Sequence, residues 1–408
     1  MTTSPDHRVQ LSRRGREAPA SPIRRLVPLA DQAKRRGVRV YHLNIGQPDV
    51  PTPPVMLEAL RDYKGPVLEY APSGGLPDFI AALAGYYARI GVDVDERHIM
   101  ATTAGSEALT FSLAAVSDPG DEILIPEPLY ANYRGFAALL GLRVTPVACS
   151  PDDGYAIPGP DVLDKAAGPR CRAMILSNPG NPTGRITGRA ELKALGDWIK
   201  SRDLFLIGDE VYREFCYGES PPPSVLQLPG LESHAIMVDS VSKRFSACGA
   251  RIGSLVTRNE EILATVLKFA QARLSPPTLG QLMATRAYRD IPPSYFKDVA
   301  QTYRRRRDLL CERLSEMPGV LFKKPQGAFY LMATLPVDDS DAFASWLLTD
   351  FQHGGETVMV APGSGFYASP GSGRKEVRIA YVLDTEPLGR AMDALSEGLK
   401  AYPGSTAA

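Results

Sequence analysis

The chain has 408 residues, 44% of them hydrophobic, with 46 Lys and Arg against 46 Asp and Glu. That length provides for two or three domains around a sizeable core. The zero net charge excludes a general nucleic-acid or membrane-surface binder, which carries a basic excess, and no apolar run reaches the ~20 residues of a transmembrane helix.

The first stretch, 1–20, is polar and Arg-rich with no apolar core of a secretory signal, and is expected to be a disordered tail. Helical spacing starts after Ser21-Pro22, where Ile23, Leu26, Val27, Leu29, Ala30 and Ala33 can share a face, and Gly37 ends it. A short apolar segment, Val38–Ile45, leads into a Gly/Pro-rich loop, 46–54. From about residue 97 short apolar runs alternate with helical stretches. The runs are Ile99–Thr102, Glu122–Ile125, Arg143–Ala148, Ala173–Leu176, Leu204–Ile207, Ala235–Val238 and Ser254–Val256. This predicts an α/β unit with a mostly parallel sheet covered on both faces, binding its ligand beyond the carboxyl ends of the strands. Past residue 300 a long charged helix, Asp298–Met317, precedes several short strands and a last helix, Leu388–Lys400, the pattern of a small α+β domain. Five dispersed cysteines, Cys149, Cys171, Cys216, Cys248 and Cys311, form no Cys-x-x-Cys pair. They read as free thiols in a reducing cytoplasm, and no metal site is expected.

The residues after the strands carry the chemistry. Ala104-Gly105-Ser106 turns into a helix, whose free N–H groups suit a phosphate, though an ordinary N-cap looks the same. Ser177 to Gly184 holds Asn-Pro twice, either plain turn chemistry or a rigid mount for an amide. Asp209-Glu210 ends a buried run, and a buried carboxylate needs a partner: a salt bridge or a cationic ring nitrogen. Lys243, after Ser240-Val241-Ser242, is either a solvated lysine or one desolvated for Schiff-base work, with Arg251 nearby for an anion.

Asn-Pro-Thr-Gly, then Asp-Glu-Val-Tyr, then Ser-Val-Ser-Lys, in this order at successive strand ends, resemble the pyridoxal-phosphate (PLP) enzymes of the aspartate aminotransferase fold. The likeness is to the class I/II aminotransferases, aspartate aminotransferase-like branch, and runs from about Ile23 to Leu399. It implies fold type I: a large PLP-binding domain, 50–300, with a seven-stranded sheet, and a small domain built from 21–49 with 301–408. It further implies that Lys243 holds PLP as an imine and moves the substrate proton, and that Asp209 pairs with the pyridine nitrogen. Asn181 and Tyr212 would bond the cofactor's phenolic oxygen. Ala104, Gly105, Ser106, Ser240, Ser242 and Arg251 would hold the phosphate. Tyr130 would stack on the ring, with Tyr133 the neighbour set aside. Tyr70 would reach the phosphate from a second subunit, making the active unit a homodimer. Gly46 and Arg378, with Asn181, would capture the substrate carboxylate; Gln47 replaces the family's usual Glu, outside the expected contacts.

The implied activity is transfer of an amino group from an aspartate-like or aromatic L-amino acid to a 2-oxo acid such as 2-oxoglutarate, by a ping-pong route. Arg273 is either a reader of a second substrate carboxylate or an exposed helix-end residue. The other reading is a different PLP enzyme of this fold, a lyase, cyclase or hydroxylase, because the same Lys, Asp and Arg serve those reactions.

Overall fold

The computed structural model describes residues 9–218 and 220–406. Its strands, in chain order, are β1 (Arg39–His42), β2 (Ile99–Thr102), β3 (Glu122–Glu127), β4 (Arg143–Ala148), β5 (Cys171–Ser177), β6 (Phe205–Asp209) and β7 (Ala235–Ser240). They continue with β8 (Gly253–Val256), β9 (Leu321–Phe322), β10 (Tyr330–Thr334), β11 (Glu356–Met359), β12 (Ala361–Pro362) and β13 (Glu376–Ala380).

All seven apolar runs of the α/β half are strands of one sheet, in the order β2-β8-β7-β6-β5-β3-β4. Only β8 runs antiparallel to its neighbours; the other pairs are parallel. Alternate side chains go to opposite faces, and both faces are covered. Leu124, Met174, Leu206 and Met237 enter one apolar cluster, while Ile125, Ile175, Ile207 and Ile236 enter the other. This explains why the sequence shows continuous apolar runs rather than alternation.

Strands β6 and β7 run two residues past their apolar stretches, so Asp209 and Ser240 are strand-terminal residues. Helix Ala104–Val116 starts directly behind β2 and packs against β7 and β8. Gly253 makes that packing possible: a Cβ there would lie 2.5 Å from the Ala104 carbonyl carbon and 2.7 Å from Gly105 N.

The rest of the chain builds a four-stranded antiparallel sheet, β12-β13-β10-β9, and a two-stranded parallel pair, β1-β11. Leu26, Ala30, Tyr41 and Leu43 share an apolar cluster with Leu310, Phe343, Val358 and Leu395, and Tyr212, Phe215 and Tyr217 enter the same cluster from behind β6. The stretch expected to be a disordered tail is described from residue 9, and residues 1–8 lie outside that description. Within 9–20 there is one short helix, Arg13–Glu17, whose Ser12 hydroxyl accepts from Gly15 N at 3.1 Å. Arg14 Nη1 ties it to Leu139 O at 3.1 Å.

Candidate active site

The carboxyl ends of β2, β5, β6 and β7 meet the loop before Asp49 and the strands β10 and β13 around a cleft of about 600 Å³. Its wall contains Gly46, Ala104, Gly105, Ser106, Tyr130, Asn181, Asp209, Tyr212, Ser240, Ser242, Lys243, Arg251 and Arg378. Of the residues implicated by sequence, Tyr70 and Arg273 are elsewhere, on one shallow surface cleft.

Asp209 is 5% exposed, and no cation among the described residues pairs with it. Tyr133 Oη donates to its Oδ2 at 2.7 Å, and Val211 N to its Oδ1 at 3.5 Å. Burial raises its pKa to about 6, against the lowering effect of these two bonds. The neighbouring carboxylate is different: Glu210 forms an internal ion pair with Arg213 and accepts from Ser224 and Val225 N. So the two adjacent acids, alike in sequence, divide into a satisfied structural one and one that still lacks a positive charge.

Lys243 lies within the single turn Val241–Arg244 that follows β7 and is partly buried. Its Nζ donates to Gly46 O at 2.8 Å and lies 3.7 Å from Cys248 Sγ. Beside it, Tyr212 and Tyr330 share a hydroxyl contact of 2.9 Å, and Asn181 Nδ2 approaches Tyr212 Oη at 3.5 Å. Burial pushes the Tyr212 phenol well above its usual range.

Arg378, in the middle of β13, is 1% exposed. Its fork reaches Asn181 Oδ1 at 2.9 Å and Asn44 O at 2.6 Å, and its plane stacks between the rings of Tyr330 and Phe366 at 4.4 and 4.8 Å. Its Nε is buried without a partner. No carboxylate pairs with it among the described residues, so it too is a buried charge awaiting its opposite.

The opposite end of the cleft gathers anion donors. The first turn of helix Ala104–Val116 opens on it, with Ala104 at φ +61. Ser240 Oγ sits 2.9 Å from Ser242 Oγ, and the buried pair backs that turn. Arg251 holds φ +56, an uncommon conformation for a side-chain-bearing residue, and its Nη1 donates to Cys248 O at 3.0 Å. Three unmatched demands thus face one another: an anion seat, a buried carboxylate lacking a cation, and a buried guanidinium lacking a carboxylate. A phosphate ester carrying a basic ring, followed by a carboxylate substrate, meets all three, so the donor set fits PLP.

Several features depart from the sequence reading. Tyr133, set aside there, is the residue that holds Asp209, and its ring meets Tyr130 edge-on at 5.3 Å. Tyr130 lines the cleft, and burial raises its phenol to about 12. Gln47, expected outside the contacts, is on the cleft wall. Arg273 is not free: its Nε pairs with Glu107 at 3.1 Å, and its Nη2 bonds the Ser73 and Ala101 carbonyls. Tyr70 is 79% exposed, on a shallow surface cleft with Leu68, Arg273 and Pro277. Tyr330, at the start of β10, is a cleft residue that the sequence reading does not single out; the tyrosine of Gly-Ala-Phe-Tyr is the available signal.

This sheet, with a lysine, an aspartate and an arginine brought together at its strand ends, defines the aspartate aminotransferase-like transferase fold. Residues 38–395 match the family described as aminotransferase class I and II, and the chain belongs to that family, whose enzymes are PLP-dependent transaminases. An aspartate/prephenate aminotransferase of Thermus thermophilus is 31% identical over 374 residues, covering 90% of this chain and 93% of the relative. An aromatic-amino-acid aminotransferase of Thermococcus litoralis is 30% identical, covering 93% and 96%. Among solved structures, the Thermus thermophilus aspartate aminotransferase with maleate superposes with a TM-score of 0.87 at 29% identity, covering 96% of this chain and all of that one. An alanine aminotransferase of Pyrococcus furiosus reaches 0.86 at 29% identity, covering 96% and 100%. Among the described residues no helix is long and apolar enough to cross a membrane.

Proposed function

We propose that this chain is a PLP-dependent aminotransferase that passes the amino group of an aspartate-like or aromatic L-amino acid to a 2-oxo acid such as 2-oxoglutarate, in two ping-pong half-reactions. The observation that carries the reading is the buried, cation-less Asp209 in one cleft with Lys243 and the carboxylate-less Arg378. Bound PLP supplies an electron sink for the pair left behind when substrate Cα loses its proton.

The residues then divide the work. Asp209, oriented by Tyr133, keeps the ring nitrogen protonated. The first turn at Ala104, Gly105 and Ser106, with Ser240, Ser242 and Arg251, holds the phosphate. Tyr130 packs on the ring. Lys243 would hold the cofactor through Nζ, and its free amine would carry the proton away from substrate Cα. Asn181 and Tyr212, the latter braced by Tyr330, donate toward the phenolic oxygen. Arg378 binds the α-carboxylate with its fork, and Gly46 N adds a donor. The exposure of Tyr70, next to the exposed Leu68, supports a homodimer in which Tyr70 completes the partner's phosphate site.

The test is a panel of amino donors with 2-oxoglutarate, scored by conversion of the purified, PLP-loaded protein to its pyridoxamine form. At least one donor converts it, and Lys243→Ala abolishes both the imine absorbance and turnover. Retained turnover in that variant, or no conversion by any donor, overturns the reading.

A further inference from the structure

Four cationic side chains line the cleft, Arg24, Lys243, Arg251 and Arg378, against one carboxylate, Asp209. On the proposed function three of these cations have an assigned counterpart: Lys243 the cofactor, Arg251 its phosphate and Arg378 the α-carboxylate. Arg24 is left over.

Its placement is built. Arg24 N donates to Ser21 O at 3.2 Å, and Val27 N donates to Arg24 O at 3.0 Å, which fixes the turn into helix Val27–Arg35. The residue before it, Ile23, accepts from Asn44 Nδ2 at 3.1 Å, and the carbonyl of that same Asn44 accepts from Arg378. The turn is therefore tied to the carboxylate-binding arginine through one residue. The two neighbouring arginines part ways: Arg25 is engaged by Asp341, whereas the Arg24 side chain makes no hydrogen bond or ion pair among the described residues. Arg24, Tyr130 and Arg378 all stand on the wall of the same cleft. The other side chain that sequence offered for this task, Arg273, is neutralised by Glu107 and held by two backbone carbonyls.

We propose that Arg24 is a specificity-determining residue that receives a second carboxylate, on the side chain of the substrate, and so favours dicarboxylic amino acids and oxo acids. The inference rests on the aminotransferase reading and names its substrate class. A substrate anchored on Arg378 extends past Tyr130 toward Arg24. A guanidinium without a competing internal acid can then take the distal carboxylate through two N–H donors. A neutral side chain gains nothing from that charge, so discrimination arises from this one contact.

The experiment compares the PLP-loaded enzyme with Arg24→Gln and Arg24→Lys. It measures kcat/KM for aspartate and glutamate against phenylalanine and alanine, and the dissociation constant for succinate by calorimetry. Arg24→Gln is expected to lose about 10- to 100-fold on both dicarboxylic donors, the worth of a charge-assisted hydrogen-bonded pair, while staying within about twofold on the neutral ones. Succinate binding weakens in parallel, and Arg24→Lys retains part of both. Equal losses on all donors, unchanged use of aspartate and glutamate, or a wild-type preference for neutral donors overturns the proposal. If the wild type converts no donor, the aminotransferase reading fails, and succinate affinity unchanged by Arg24→Gln then also refutes the role of Arg24.

Discussion

The most demanding prediction concerns Asp209→Asn. In the cofactor-free chain, burial raises the Asp209 carboxyl from 3.8 to about 6. The folded protein therefore keeps a proton that the unfolded chain has released. The stabilising contribution of Asp209 is fully present below pH ~4 and is lost as pH rises through about 6. At about 1.4 kcal/mol per tenfold change, the ionised carboxylate costs the empty fold about 3 kcal/mol at neutral pH. Asparagine keeps an acceptor for Tyr133 Oη and does not titrate. The stability of Asp209→Asn minus that of the wild type should therefore climb by about 2 kcal/mol between pH 4 and 7 in the cofactor-free form. Loading with PLP reverses the order, because only the carboxylate gains a cationic partner, and turnover of the variant falls about 10²- to 10³-fold. Urea denaturation of both proteins across this pH range, with and without PLP, measures each quantity. A pH-independent difference, a slope of the opposite sign, or a variant that turns over within tenfold of the wild type would refute the reasoning.

Three further experiments probe the rest of the site. Gly46→Ala places a Cβ 1.5 Å from Tyr330 Oη. Tyr330 must then abandon Tyr212 and its stack on Arg378, so steady-state kinetics should show kcat/KM down at least about tenfold in a protein that still folds, consistent with about 1–3 kcal/mol of overpacking; unchanged kinetics would mean that Tyr330 braces nothing. Arg378→Lys keeps the charge and loses the fork to Asn181 and Asn44. The KM for every α-amino acid donor should rise about 100-fold with folding retained, and a KM unaffected by this change would remove Arg378 from the carboxylate site. Finally, Tyr70→Ala and Lys243→Ala are each impaired alone, but unfolding and reassociating them together should restore activity, since one site of the hybrid carries both lesions and the other none. A mixture no better than its two components would show that each chain completes its own site.

What could be read from the sequence divides along a physical line. The sheet was legible because its central strands are buried on both faces, so their inner residues are apolar without interruption, as in Ala173–Leu176 and Ala235–Val238. The polar residues that follow stand out because nothing else breaks such a run. Asp209, Ser240 and Lys243 lie at those breaks, and their order along the chain sets their order along the edge of the sheet. What escaped depends on which side chain meets which across long separations. Tyr133 looked like a spare aromatic until packing brought its hydroxyl to Asp209, 76 residues away. Tyr330 reads as one more buried strand residue, yet it stands between Gly46 and Arg378 because β10 pairs with β13 in the register Tyr330 opposite Ala380. Arg273, the arginine offered by sequence, and Arg24, which sequence did not single out, are both cations whose availability no neighbouring residue decides. Glu107, 166 residues from Arg273, neutralises the first, and no acid among the described residues approaches the second. Local chemistry is written in neighbouring letters, but whether a charge is spent or available is decided by tertiary partners, and substrate preference hangs on that second kind of fact.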